Sequence, residues 1–223
     1  METWLTYSPQ DFLLFSERVY WRLFELHNAE LWPAQIPAVL AGLAVPALLV
    51  WRPWWAGRAI AGILGLAWAV AGLAFLPRYA TVNWMAGDLI PMFLGQAVLI
   101  AVLGFAARAL VPSPGGARRW IGVALCLYGL AAPLAAALYL GRGMAGAEIF
   151  ALTPDPTAIV TLGAVLAAER RWPAMIVGIV AALWCVASWA TLATLGTLQA
   201  WLFAPVALAL LAAAAVSRLR RSG

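Results

Sequence analysis

Seven apolar runs constrain this chain more than any other feature. They cover residues 34–51, 59–76, 89–107, 120–140, 156–168, 174–195 and 198–216. Most hold the roughly 20 residues that a bilayer core about 30 Å thick demands of a helix. With 65% apolar and 10% charged residues, the chain carries too little charge for a soluble domain of its size. The expected fold is all-α: a polytopic membrane helix bundle of about seven transmembrane helices. The fifth run is the short one, with 13 residues from Pro156 to the residue before Glu169. A six-span bundle with that run re-entrant is the competing arrangement. Eight of the 13 tryptophans, Trp51, Trp120 and Trp201 among them, fall near the ends of runs, where indole rings favour the membrane–water interface. Cys126 and Cys185 lie inside runs at different depths, so they read as small buried hydrophobes rather than a disulfide.

The loops give the bundle a direction. All 14 basic residues are arginine. If successive loops alternate sides, one side carries Arg18, Arg22, Arg78 and Arg142, and the other carries the remaining ten. The positive-inside rule makes the second side cytoplasmic, with the N-terminus outside and the C-terminus inside. Eight of the nine acids, all but Glu169, fall on the outer side. The formal charge of +5 then reflects topology. It implies no nucleic-acid partner, only the lipid bilayer. No signal-peptide pattern precedes the first run.

Residues 1–33 are expected to form a separate unit ahead of the transmembrane bundle at 34–223. Ser8 suits an N-cap, Pro9 the first turn, and Asp11 the positive end of a helix. Phe12, Phe15, Val19, Leu23 and Leu26 follow helical spacing, with Asp11, Arg18, Arg22 and Glu25 on the other face. This predicts an amphipathic interfacial helix on the outer surface, acting as an anchor or packing element more than as a lid. Tyr7-Ser8, Asp11-Phe12-Leu13-Leu14-Phe15-Ser16, Arg22-Leu23-Phe24-Glu25-Leu26, Asn28 and Trp32-Pro33, with Asn83, Pro154 and Pro156-Thr157, resemble an uncharacterised family of bacterial multi-pass inner-membrane proteins, a domain of unknown function. The resemblance implies the architecture and a bacterial inner (plasma) membrane location, and no activity. Where the family pattern has a cysteine between the two prolines this chain has Asp155, so the resemblance lends that acid no role.

Polar side chains within a bilayer are costly and usually serve a purpose. Here they gather in the outer half and the outer loops, including Gln35, Asn83, Asp88, Gln96, Glu148, Asp155, Thr161, Ser188 and Gln199. The inner half of the spans holds Cys126, Tyr128 and terminal arginines. The stretch TPDPT opens the fifth run. Its prolines cannot donate to a helix interior and restrain the residue before them, so the helix starts near Pro156 and spans only about 20 Å. Such a half-helix end presents free N–H groups. The structural reading has Asp155 capping that end itself. The functional reading is a shallow outward pocket, with Asp155, Asp88, Asn83, Gln96, Thr161 and Glu148 as its ligand-binding candidates. Ser188, Thr191, Thr194 and Thr197, and the small-residue seam Ala61, Gly65 and Ala69, read as helix packing.

Several chemistries are excluded. His27 is the only histidine, so paired-histidine haem is impossible; it reads as a solvated interfacial residue, and no metal site or cofactor is expected. The absence of lysine rules out a retinal Schiff base. No nucleophile elbow, phosphate loop or CxxC occurs, and no catalytic residue is assigned. The expected function is non-enzymatic: binding a partner or small ligand through the outward pocket, as an accessory subunit, or as a homo-oligomer through small-residue helix faces. The alternatives are a small-solute transporter or channel, weakened by the apolar inner half, and an enzyme acting on a lipid-linked substrate through Asp88, Glu148 and Asp155.

Overall fold

The computed structural model describes residues 15–222, with side chains described to residue 216. The expected cap Ser8, with Pro9, Asp11 and Phe12, lies outside the described residues. Among the described residues, helix α1 (Glu17–Leu31) begins at Ser16, whose hydroxyl oxygen accepts from the Val19 N–H at 3.4 Å. The chain then bends by 102° into α2 (Gln35–Trp51). Helix α3 (Ala56–Tyr79) carries a π-helical turn at Ala71–Phe75. It is followed by α4 (Met85–Phe105), α5 (Ala117–Tyr139), α6 (Pro154–Ala167) and α7 (Arg171–Thr194). A 3₁₀ turn, Leu198–Leu202, leads into α8 (Phe203–Ser222). No strand forms among the described residues beyond one isolated bridge, Pro112 to Ala168.

Five helices are long and apolar enough to cross a membrane: α3, α4, α5, α7 and the stretch Leu198–Val216. The bent pair α1–α2 counts as a sixth if taken as one span. Taken alone, α2 has 17 residues and α6 has 14. Of the seven predicted runs, the first and the fifth are thus the ones whose helices fall below spanning length.

The short helix is the axis of the bundle. Every residue of α6 is buried. Helices α5 and α7 pack along it, with α2, α3 and α8 completing the surround. Contact between α5 and α6 is backbone to backbone. A Cβ added at Gly122 would lie 2.4 Å from the Gly163 carbonyl oxygen, and one at Gly163 would lie 2.5 Å from Cys126 Sγ. The predicted seam on α3 also packs within the chain: a Cβ at Gly104 of α4 would sit 2.2 Å from that of Ala61.

The arginine-rich end is tied shut by carbonyls at helix C-termini, where a cation also meets the negative end of the helix dipole. Arg119 donates from Nε to Leu49 O at 2.9 Å and from Nη2 to Val50 O at 2.6 Å. Arg52 reaches Pro114 O at 3.0 Å. The Ser113 N–H donates to Ala167 O, and the Glu169 N–H to Val111 O, both at 2.9 Å.

At the opposite end α1 departs from expectation. Its buried face is Tyr20, Trp21, Leu23, Phe24, His27 and Asn28, while Val19 and Leu26 of the predicted apolar stripe are 42% and 45% exposed. The physical reason is its position. The helix lies across the end of the bundle, so its inner face meets both aromatic rings and polar loop backbone. Phe24 packs on Phe75, and Tyr20 on Tyr79. Glu30 pairs with Arg78 of α3. His27, read as solvated, is buried; its Nε2 lies 2.9 Å from Leu152 O and its ring meets Phe75 edge-on. The helix is a packing element, as expected, and it also roofs what lies beneath.

Candidate functional site

Beneath α1 runs the loop 140–153, which lowers the chain from α5 to the start of α6. Gly141, Gly143 and Ala151 hold positive φ angles there. The α1 side chains pin its backbone. Asn28 donates from Nδ2 to Ala145 O at 2.7 Å and to Ala147 O at 2.8 Å, beside the His27 contact with Leu152 O. At the start of α6 the two prolines occupy first-turn positions, where the missing N–H groups cost nothing. Hydroxyls take over the remaining work. The Ile149 N–H donates to Thr153 Oγ1, the Ala151 N–H to Thr157 Oγ1, and Thr157 Oγ1 in turn to Thr153 O.

This construction buries two carboxyl groups against each other. Glu148 and Asp155 are 3% and 4% exposed and lie near enough to influence each other's ionisation. Asp155 does not cap its helix, contrary to the self-capping reading. Trp184 Nε1 donates to its Oδ1 at 2.7 Å and Ser188 Oγ to its Oδ2 at 2.6 Å. Both donors come from α7, four residues apart and therefore on one helical face. Two carboxyl groups buried this near each other oppose each other's ionisation. Burial, then the charge of Asp155, pushes the Glu148 carboxyl well above the usual range.

A relay leads from this pair to the surface. Gln199 donates from Nε2 to Glu148, and its Oε1 accepts from Arg142 Nη2. Arg142 stacks on Trp21, with the guanidinium carbon 3.4 Å from the ring centroid. It is only half satisfied: its Nε and Nη1 are buried without a hydrogen-bond partner. Arg142 and Thr197 form part of the wall of a groove of about 1090 Å³, bounded by Glu17, Arg18, Trp21, Arg22 and Glu25 of α1 and by the loop tips at Thr81, Leu140 and Leu198. Tyr20 closes the roof. Burial, then the nearby Asp155 and Glu148, raises its hydroxyl well above its ordinary value.

The six predicted site residues therefore divide. Glu148 and Asp155 meet, but inside the protein rather than in an open pocket. None of the six lines the groove. Thr161 serves packing: its Oγ1 donates to Thr157 O at 2.8 Å and accepts from Trp68 Nε1 at 3.0 Å. Gln96 fastens α4 to α7 through Val177 O at 2.7 Å. Asn83 donates to the Tyr79 hydroxyl at 3.3 Å, and Asp88 is exposed at the start of α4. Sequence reasoning passed over Arg142, Gln199, Trp184 and Ser188 as site residues. One signal was present. Trp68 and Trp184 sit mid-run, away from the interface, and a buried indole N–H needs an acceptor. Among the described residues no three His, Cys, Asp or Glu side chains cluster to hold a metal ion.

A family model described as a family of unknown function, DUF6064, matches residues 17–222, and the chain belongs to that family. No curated protein and no solved structure matches it.

Proposed function

We propose that this member of the DUF6064 family is a multi-pass protein of the bacterial inner membrane, and that α2 to α8 are its seven spans. Its N-terminus lies outside and its C-terminus inside. The arginine count supports that orientation: four on the groove side against ten on the other. The short α6 can serve as a span because every one of its residues is buried within the protein.

The protein binds a small ligand bearing an anionic group in the outer groove, without catalysis. One observation carries this reading. Arg142 stands at the groove wall with one arm tied inward to Gln199 and two buried nitrogens unpaired. A buried donor without a partner costs about 1–3 kcal/mol, which a carboxylate in the groove would recover. Binding would reach Glu148 and Asp155 through Gln199. The transporter reading draws no comparable support. Below Asp155, the buried Ile159, Val160, Leu162, Ala164, Val165 and Leu166 offer a hydrophilic cargo no partners. A dimer through small-residue faces has less support as well, since Ala61 and Gly104 already pack on each other.

The test is thermal stability of the purified full chain in detergent, screened against acetate, succinate, inorganic phosphate and uncharged analogues. At least one anion class should raise the unfolding temperature of the wild type and leave Arg142→Gln unmoved. An equal response in Arg142→Gln, or no response to any anion, would refute the assignment.

A further inference from the structure

A second feature lies at the opposite end of the molecule. Helix α8 packs on α5 and leaves a cleft of about 760 Å³ against α7. Its walls include Leu162, Val165 and Leu166 of α6, Ile179 and Ala182 of α7, and Leu210 of α8. This is where the otherwise enclosed α6 meets open space. A further apolar hollow of about 300 Å³ continues the cleft, sharing Leu162, Ala182 and Leu210 and ending near Trp201.

The cytoplasmic mouth is chemically different. Arg118 and Arg171 line both the cleft and a small adjoining pocket that also holds Ser113, Gly116 and the exposed Glu169. The two guanidinium groups thus share the walls of one small pocket. Neither is ion-paired among the described residues, and Arg118 Nε is buried without a partner. Each arginine sits in the first turn of its helix, α5 or α7, and neither helix has a side-chain N-cap. Two positive helix ends therefore add to the two arginines at one place.

A site with paired cations at the membrane surface and a long apolar trough running inward has the shape and charge of one kind of molecule. We propose that the α7–α8 cleft holds one anionic phospholipid, its phosphate between Arg118 and Arg171 and an acyl chain along Leu162, Ile179 and Ala182. The planar fork of arginine matches phosphate oxygens, and two such cations favour a headgroup that has no ammonium to offset its phosphate. The trough supplies depth, because each buried methylene adds favourable transfer energy.

The experiment uses delipidated full-length protein in detergent, titrated with dioleoyl phosphatidylglycerol or dioleoyl phosphatidylcholine, with bound lipid counted by native mass spectrometry. Phosphatidylglycerol should bind about thirtyfold more tightly than phosphatidylcholine, as expected for two arginines near a headgroup. Arg118→Gln/Arg171→Gln should remove that preference. Ala182→Trp, which fills the trough and leaves both arginines in place, should weaken both lipids. Helix content by circular dichroism confirms that each variant is folded, and Arg171→Gln alone replaces the double variant if that one is not. The inference fails if wild type shows no preference, if the preference survives loss of the arginines, or if inorganic phosphate competes as well as the lipid does.

Discussion

Trp184 and Ser188 stand one turn apart on α7, so their donors reach both oxygens of Asp155 together. Removing one leaves a buried carboxyl oxygen short of a partner. Ser188→Ala should therefore cost about 1–3 kcal/mol. Thr194→Ala should cost little, because that hydroxyl bonds the Ala190 carbonyl of its own helix. Thermal unfolding in detergent separates the two. The acid–base consequences of Glu148 and His27 run in opposite directions. Glu148 has a raised folded-state pKa, so its contribution is present below the unfolded value and is lost as pH rises through the folded one. Glu148→Gln should flatten that alkaline loss. His27 is buried and neutral, lowered from 6.5 to about 4. The unfolded histidine takes up a proton first, so the hold of α1 on Leu152 weakens as pH falls from about 6.5 towards 4, by about tenfold per unit. Hydrogen exchange in α1 at pH 7 and pH 5 should show this in the wild type and not in His27→Gln, which keeps a donor without a titrating group.

Among the elements, α6 depends most on close approach. Gly122 and Gly163 bring two backbones into contact, so a methyl at either meets backbone rather than a yielding side chain. Gly163→Ala should destabilise the bundle by about 2 kcal/mol, the usual cost of overpacking. Gly62→Ala, with nothing near its added Cβ, should not destabilise it. Unfolding temperatures of the two variants test the contrast. Much at this scale was legible in the sequence. The two prolines of TPDPT announced the short helix, and the apolar runs announced the long ones, because both signals are local. The orientation of α1 was not legible. Its burial is set by Asn28 and His27 bonding a loop more than a hundred positions away, and no helical period encodes that. The candidate site divides the same way. Glu148 and Asp155 stood out as acids in apolar surroundings. Their partners Arg142, Gln199 and Trp184 come from separate stretches that only the packed bundle brings together.

At the scale of the molecule the polarity is lopsided. One end carries a buried carboxyl pair, a half-paired arginine and a groove; the other is closed by arginines on helix carbonyls, with apolar side chains between. The proposed orientation puts the groove outside. A membrane-impermeant maleimide should label Thr81→Cys, at the groove rim, in intact cells, and label Ser113→Cys only after lysis; the reverse pattern would invert the topology. Burial of the pair beneath α1 should keep Glu148 protonated at neutral pH. Infrared spectroscopy of the purified full chain at pH 7 reads it directly. A protonated-carboxyl C=O stretch should survive Asp88→Asn and vanish in Glu148→Gln. A wild-type spectrum without that band, or a band untouched by Glu148→Gln, would contradict it.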